Sequence, residues 1–217
     1  MDDTGYTIRL ESPKDYRIVE EITRQAFWNV NVPGCLEHYL VHKMRNHEAF
    51  IQQLAFVIEK DEEIIGNIMY TKSKLVDENG NEKEILTFGP ISILPLYQRK
   101  DYGKALIEHS FKAAKKLGYD TIVIFGSPNN YVGRGFKSCK KYNICIGDGV
   151  FPTAMLVKLL KENALDGRRW NFHESNFAEV NDKDEAFKVY DETFTHKEKC
   201  FKASQEEFYI LSQSIIA

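Results

Sequence analysis

Apolar and polar residues follow two different periods along this chain, and the switches between them mark its elements. Residues 6–10 alternate with the period of two expected of a half-buried strand. Ser12-Pro13-Lys14-Asp15 then offers a cap and a proline in the first helical turn, and Ile18, Val19, Ile22, Ala26 and Phe27 recur at helical spacing, which predicts a helix over 15–28. Turn formers crowd 29–34. A second helix is predicted over 36–46, with Leu36, Tyr39, Leu40 and Met44 on one face. Between 54 and 94 the pattern reads as three consecutive antiparallel strands, joined by an acidic turn and by Asp77-Glu78-Asn79-Gly80, which holds an Asn-Gly hairpin signal.

The last of these strands reaches 91–94, where Pro95 stops it. A short polar turn leads to a long amphipathic helix entered near Gly103 and ended by Gly118, with Ala105, Leu106, His109, Ala113 and Leu117 as its expected core face. Residues 121–125 form a continuous apolar run, expected as a strand buried on both faces and parallel to the one before the helix, across a right-handed crossover. Stretches 143–146 and 154–160 complete the expected fold class, α/β, with a mixed, mostly antiparallel central sheet of about seven strands flanked by helices. From Lys161 helical patterns over 184–194 and 204–215 alternate with charged linkers. The chain is therefore divided into a core, 1–160, and a helical C-terminal extension, 161–217. Exposing Phe187, Tyr190, Phe194, Phe208, Tyr209 and Leu211 would be costly, so the extension is expected to dock on the core or on a second subunit.

A strand that hands over to a helix through a polar turn makes an anion site. The turn's free N–H groups and the first helical turn point into one space, and the helix dipole adds about half a positive charge there. Phosphate is the obvious guest.

The residues of that turn carry a family resemblance. Pro95 to Leu106, PLYQRKDYGKAL, resembles the acetyl-CoA signature of the GCN5-related N-acetyltransferase (GNAT) superfamily, and the chain as a whole resembles its predicted acetyltransferases with a C-terminal extension. Gln98 and Gly103 fit the signature; Asp101 stands where the family usually places its first glycine. Residues 125–136, FGSPNNYVGRGF, are similar to the family's next block, and the resemblance covers 6–160. It implies the GNAT acyl-CoA N-acyltransferase fold, acetyl-CoA as acyl donor, and a primary amine that attacks directly in a ternary complex.

The same resemblance assigns roles. The backbone of Ile91, Ser92 and Ile93 is expected to pair with the pantetheine arm. Gln98, Arg99, Lys100, Asp101, Tyr102, Gly103 and Lys104 form the pyrophosphate turn, and Asn130 is a further pantetheine contact. Tyr131 matches the position of a tyrosine general acid. Reference pKa values of about 8.5 for a thiol and about 10 for tyrosine make a hydrogen bond to the leaving thiolate its expected contribution. The strand glutamate that some members use as base is missing, because 85–94 holds no carboxylate. Glu84 at the strand's entrance, Glu37, His38 or an ordered water are the alternatives, and Trp28, Glu37 and His38 are named as acceptor contacts. Two competing readings are a CoA-binding module without turnover, suggested by Asp101 and the missing base, and an interaction scaffold in which the extension holds a homodimer.

Composition narrows the picture only at its edges. The 217 residues, 43% of them hydrophobic, suit one globular unit with a full core. A net charge of −3 argues against a nucleic-acid surface. No apolar span has membrane length and the first residues lack a signal pattern, so no membrane partner and a cytoplasmic location are expected. Cys35, Cys139, Cys145 and Cys200 form no CxxC pair and are read as reduced thiols. His38 and His42 could share a helix face, with His47 nearby, but no HExxH and no third ligand accompany them, so no metal is expected.

Overall fold

In the computed structural model, which describes residues 5–175 and 180–217, the first four residues of the expected core and 176–179 of the extension lie outside the described part. The chain opens with β1 (Thr7–Leu10) and enters α1 (Tyr16–Phe27) through a 3-10 turn at Pro13–Asp15. The Asp15 carboxylate takes the Arg9 guanidinium at 2.6 Å and accepts the Ser12 N–H at 2.8 Å, which holds its pKa well below the ordinary range. After α2 (Glu37–Met44), three antiparallel strands follow in order, β2 (Phe56–Lys60), β3 (Glu63–Asp77) and β4 (Glu82–Ile93). Asp77 closes the β3–β4 turn by accepting the N–H groups of Asn79 and Asn81.

Helix α3 (Tyr102–Lys116) leads to β5 (Thr121–Phe125), parallel to β4. The short helix α4 (Pro128–Tyr131) follows, then β6 (Lys137–Ser138), β7 (Ile144–Cys145), β8 (Met155–Leu159) and β9 (Trp170–His173). Helices α5 (Glu185–Asp191) and α6 (Ala203–Gln213) come last. The sheet runs β1-β2-β3-β4-β5-β8-β6, and β9, paired with the far end of β3 and with β7, brings it to nine strands among the described residues. Six of the expected strands lie on this path; the one expected over 143–146 is β7, which pairs with β9 off the path, and β6, outside the expected set, pairs with β8 at the edge. Strand β9 lies in the segment read as helical; its four residues find their place by pairing with β3 from Lys74 to Asp77, a long-range contact that local pattern does not announce.

The two faces of the sheet differ. Ile68, Tyr70, Leu86, Phe88, Ile122 and Ile124 pack against Leu106 and Ile107 of α3. On the other face Val57, Ile64 and Met69 meet Val19 and Ile22 of α1 and Val41 and Met44 of α2, while Leu75, Ile85, Val123, Met155, Trp170 and Phe172 form a separate cluster. The core face of α3 is turned by about one residue from the expected one: Ile107, Ser110 and Ala114 are buried with Leu106, and Leu117 is exposed. The cause is polar. Ser110 sits under Tyr70, their hydroxyls 2.7 Å apart, so a position that an apolar pattern skips lies at the centre of the contact. In α1, similarly, Ile18 is exposed while Glu20, Thr23 and Arg24 are buried. Phe125, at the end of a strand expected to be covered on both faces, is exposed as well.

A buried knot helps tie the extension after Leu160 to α1 and α2. Arg24, 2% exposed, donates from Nε to Asp191 Oδ1 at 2.9 Å and from Nη1 to the Thr195 carbonyl at 3.0 Å. His38 is fully buried among Phe187, Tyr190 and Phe194, with Nε2 3.0 Å from Asp191 Oδ1 but without the alignment of a hydrogen bond. Phe187 and Phe194 are thus covered by the core, whereas Phe208 and Tyr209 of α6 remain exposed on the single chain.

Burial lowers the His38 pKa to about 4, outweighing the pull of Asp191. Below its unfolded value of about 6.5 the unfolded chain takes a proton that the folded chain refuses, so stability is full above that pH and is lost as pH falls toward the folded value. His38→Phe, which keeps a ring in the aromatic cage, should therefore lose stability less steeply than the wild type between about pH 6.5 and 4. Calorimetric melting across that window is expected to show the difference, roughly 6–12 °C by the lower end. Parallel pH curves would rule His38 out as the titrating group.

Candidate functional site

The candidate site begins where β4 leaves its neighbours. The pairing of β3 with β4 shifts register between Ile68 and Tyr70, because Gly89 and Pro90 form a bulge between Phe88 and Ile91. On the other side β4 and β5 are in register at Leu86 and Ile122, and among the described residues no strand covers the β5-facing edge of β4 after the bulge. Ile91 and Ile93 lean on the core beneath α3. Ser92 is buried, and its hydroxyl donates away from this edge, to Thr23 Oγ1 of α1 at 3.1 Å. Its side chain is therefore engaged; only its backbone can serve a ligand in the gap.

From the end of β4 the chain turns tightly into α3. Gln98 Nε2 donates to the Ile93 carbonyl at 2.9 Å and fastens the turn to the strand. Arg99 and Asp101 both adopt left-handed backbone, with φ of 61° and 63°. Asp101 therefore occupies a conformation that favours glycine and that Asp accepts better than most residues, which explains how it fills the position expected for glycine. It stands at the N-cap of α3 without a side-chain cap bond, and the first intrahelical contact is from the Ala105 N–H to the Asp101 carbonyl at 3.0 Å. Among the described residues the N–H groups of Tyr102, Gly103 and Lys104 are accordingly free, with the positive end of a fifteen-residue helix behind them. Arg99, Lys100, Asp101 and Lys104 are exposed, and the Lys100 ammonium lies over the Tyr97 ring at 5.8 Å.

Tyr131, in α4, packs against Phe88 and Phe136 with ring centres 5.8 and 5.6 Å away. Gly126 makes room for it, since a Cβ there would lie 2.6 Å from Tyr131 Cε2. Burial pushes its pKa up to about 12, with Arg134 working weakly the other way. Its hydroxyl makes no hydrogen bond among the described residues, whereas Asn130, beside it, is exposed.

The residues named as bases or acceptor contacts fare differently. His38 is sealed inside the knot with the extension and reaches no open space. Glu37 is occupied, accepting from Asn31 Nδ2 at 2.8 Å and from the Leu36 N–H at 3.0 Å. Glu84 is 3.3 Å from Lys72 and takes the Tyr119 hydroxyl at 3.0 Å. Trp28 does line a cavity of about 560 Å³, with Arg24, Phe194, His196 and Glu198 among its walls, but its indole N–H is committed to the Glu198 carbonyl at 3.0 Å. Among the described residues there is no group of three His, Cys, Asp or Glu side chains that could hold a metal, and no helix is long and apolar enough to cross a membrane.

A mixed sheet that splits beside a helix turn with free N–H groups defines a class of α/β proteins. This chain belongs to the acetyltransferase (GNAT) family, whose model matches residues 19–136. Its fold is similar to that of a GNAT family N-acetyltransferase from Escherichia coli in complex with CoA, with 24% identity, 78% of this chain and 90% of that one covered, and a TM-score of 0.65. A GNAT family acetyltransferase from Brucella melitensis in complex with acetyl-CoA gives 22% identity, 79% and 97% coverage, and a TM-score of 0.61. An acetyltransferase of the same family from Staphylococcus aureus gives 14%, 72% and 99%, and 0.53. No curated protein matches the sequence.

Because the turn is shaped by backbone and not by an Asp101 cap, its substitutions should rank by φ preference. Asp101→Asn is expected to be neutral, Asp101→Gly to stay within about 1 kcal/mol of the wild type, and Asp101→Val to cost about 1–2 kcal/mol. Urea unfolding of the three proteins checks the order; a stable valine variant would show that the left-handed turn is absent in solution.

Proposed function

We propose that this protein transfers an acetyl group from acetyl-CoA to a primary amine in the cytoplasm, the amine attacking directly while both are bound. The observation that carries the reading is the turn from Gln98 to Lys104, in which two left-handed residues leave three free N–H groups at the start of α3, beside an unpaired edge of β4. A pyrophosphate suits the first and an amide-bearing arm suits the second. Family membership supports the donor, as do the relatives crystallised with CoA and with acetyl-CoA.

In this reading the N–H groups of Tyr102, Gly103 and Lys104 hold the pyrophosphate, with Arg99, Lys100 and Lys104 adding charge. Gln98 keeps the turn against Ile93, and the backbone of Ile91, Ser92 and Ile93 pairs with the pantetheine arm, toward which Asn130 offers an amide. Asp101 adds a carboxylate to the rim, where solvent screens it. Binding both substrates in one complex supplies proximity. Tyr131, with a pKa near 12 against about 8.5 for a thiol, keeps its proton largely to itself and donates a hydrogen bond to the developing thiolate.

Thermal melting and thiol release test this directly. Acetyl-CoA should raise the melting temperature while NAD and ATP do so weakly or not at all, and free thiol should appear when amines, polyamines, amino acids or peptides are added. A larger shift with NAD would sink the donor assignment; acetyl-CoA binding without thiol release would favour a binding module.

Tyr131→Phe keeps the ring against Phe88 and Phe136 and removes only the hydroxyl. Turnover should fall roughly ten- to a thousandfold with little change in acetyl-CoA affinity. Unchanged turnover would mean that the thiolate leaves unassisted.

A further inference from the structure

We propose that Glu174, on the segment that follows β9, is the base that takes the proton of the acceptor amine; the inference rests on the acetyl-transfer reading. Strand β9 runs antiparallel to β3, with Phe172 opposite Leu75 and His173 opposite Lys74. Carried one residue on, the register sets Glu174 opposite Ser73. The chain keeps that course, since the Ser175 hydroxyl donates to the Lys72 carbonyl at 2.9 Å. Phe172 shares a cluster with Leu75 and Val123, so it lies on the α1 face of the sheet, and pleating returns Glu174 to the same face two residues later.

Contacts link this position to the end of β5. The Phe172 ring is 5.7 Å from that of Phe125, the residue after Phe125 is Gly126, and Gly126 is the glycine against which Tyr131 packs. Glu174 therefore approaches from one face of the sheet the place that Tyr131 flanks from the other. Between them the α1 face of β3 and β4 is unusually polar. Thr87 Oγ1 donates to Ser73 Oγ at 2.9 Å, and the buried hydroxyl of Thr71, paired in register with Thr87, has no partner among the described residues. Buried polar atoms are normally satisfied, so an orphaned hydroxyl on the floor of this face points to a water or a substrate atom above it.

Glu174 also differs from Glu37 and Glu84, whose carboxylates are engaged. It makes no ion pair or hydrogen bond among the described residues, and no charged neighbour contributes to its proton affinity. Its side chain reaches solvent, yet the protein stands closely enough around it that desolvation raises its carboxyl above the ordinary glutamate range. Such a setting belongs to the wall of an open cleft. The proton balance is simple. An acceptor arriving as an ammonium gives one proton to the Glu174 carboxylate, directly or through one water; its nitrogen lone pair forms the C–N bond as the C–S bond breaks. The second N–H proton leaves with the thiolate to give free thiol, and Glu174 returns its proton to solvent.

The test uses the full chain and follows thiol release from acetyl-CoA with spermidine, L-lysine and 2-phenylethylamine between about pH 6 and 10. Glu174→Gln should lower kcat roughly ten- to a thousandfold near pH 7 and leave the KM for acetyl-CoA unchanged. Its deficit should narrow toward the alkaline end, where the amine arrives already neutral. In a carboxyl-carbon NMR titration, assigned by difference against the variant, Glu174 should titrate above the ordinary value of about 4.3. A variant with wild-type kcat and pH profile, or an ordinary titration, overturns the base while leaving acetyl transfer intact. A wild-type protein that releases no thiol with any of these amines overturns the acetyl-transfer reading, and the base falls with it.

Discussion

The long pairing of β3 with β4 is the constraint from which the site follows. Gly66 allows the two strands their closest approach: a Cβ there would come within 2.5 Å of the Ser92 carbonyl oxygen and 2.4 Å of Ile93 Cδ1. With the end of β4 pressed onto β3 and held by the bond from the Leu94 N–H to the Ile65 carbonyl at 2.8 Å, the bulge at Gly89 and Pro90 carries β4 away from β5. The unpaired edge is thus a consequence of pairing on the opposite side. The α3 turn hangs from the same strand through Gln98 and Ile93, so the N–H groups of the turn and the strand edge are fixed relative to each other by one rigid element.

A buried charge makes the C-terminal segment part of this arrangement. Arg24 sits on α1 almost without solvent, where an unpaired guanidinium would cost several kcal/mol, and its partners, Asp191 and the Thr195 carbonyl, both come from the extension. Exposed pairs such as Lys188 with Glu185 contribute at most about 1 kcal/mol. Against a typical total stability of about 5–15 kcal/mol, the Arg24 contact is large enough to hold the extension in place, and the surface pairs are not. The aromatic rings around His38 add apolar cover to the same joint.

Much of this was legible in the residues. Alternation located β2, β3 and β4, the Asn-Gly signal marked their turn, and Gly118 ended α3 where expected, with φ of 93°. The signature around Gln98 and Gly103 led to the helix turn, and a left-handed backbone accounts for the one residue that fitted badly. What escaped was polar or long-range. Periodicity counts apolar residues, so it rotated α3 away from Ser110 and left Glu20 and Arg24 of α1 on the outside. Strand β9 is short, set among charged residues, and stabilised by a partner nearly a hundred positions earlier. The carboxylate that follows it carried no local signal; an alternating Trp170-Asn171-Phe172 run was the only hint that the chain there was extended.

The polar lining of the α1 face also bears on why no carboxylate lies in β4 beyond Glu84, at its entrance. A hydroxyl buried without a partner costs about 1–3 kcal/mol, and an ionised carboxylate in the same place costs several times that unless a counter-charge accompanies it. The β4 interior from Ile85 to Ile93 is buried or half-buried, so it can carry Thr87 and Ser92 but would pay heavily for a lone Glu. A charge meant to meet an arriving cation is better placed at the rim, on an element that joins the sheet late and remains open to water. Between β4 and that rim, Ser73, Thr87 and Thr71, the last without a partner among the described residues, provide hydroxyls that can donate or accept and need no counter-ion.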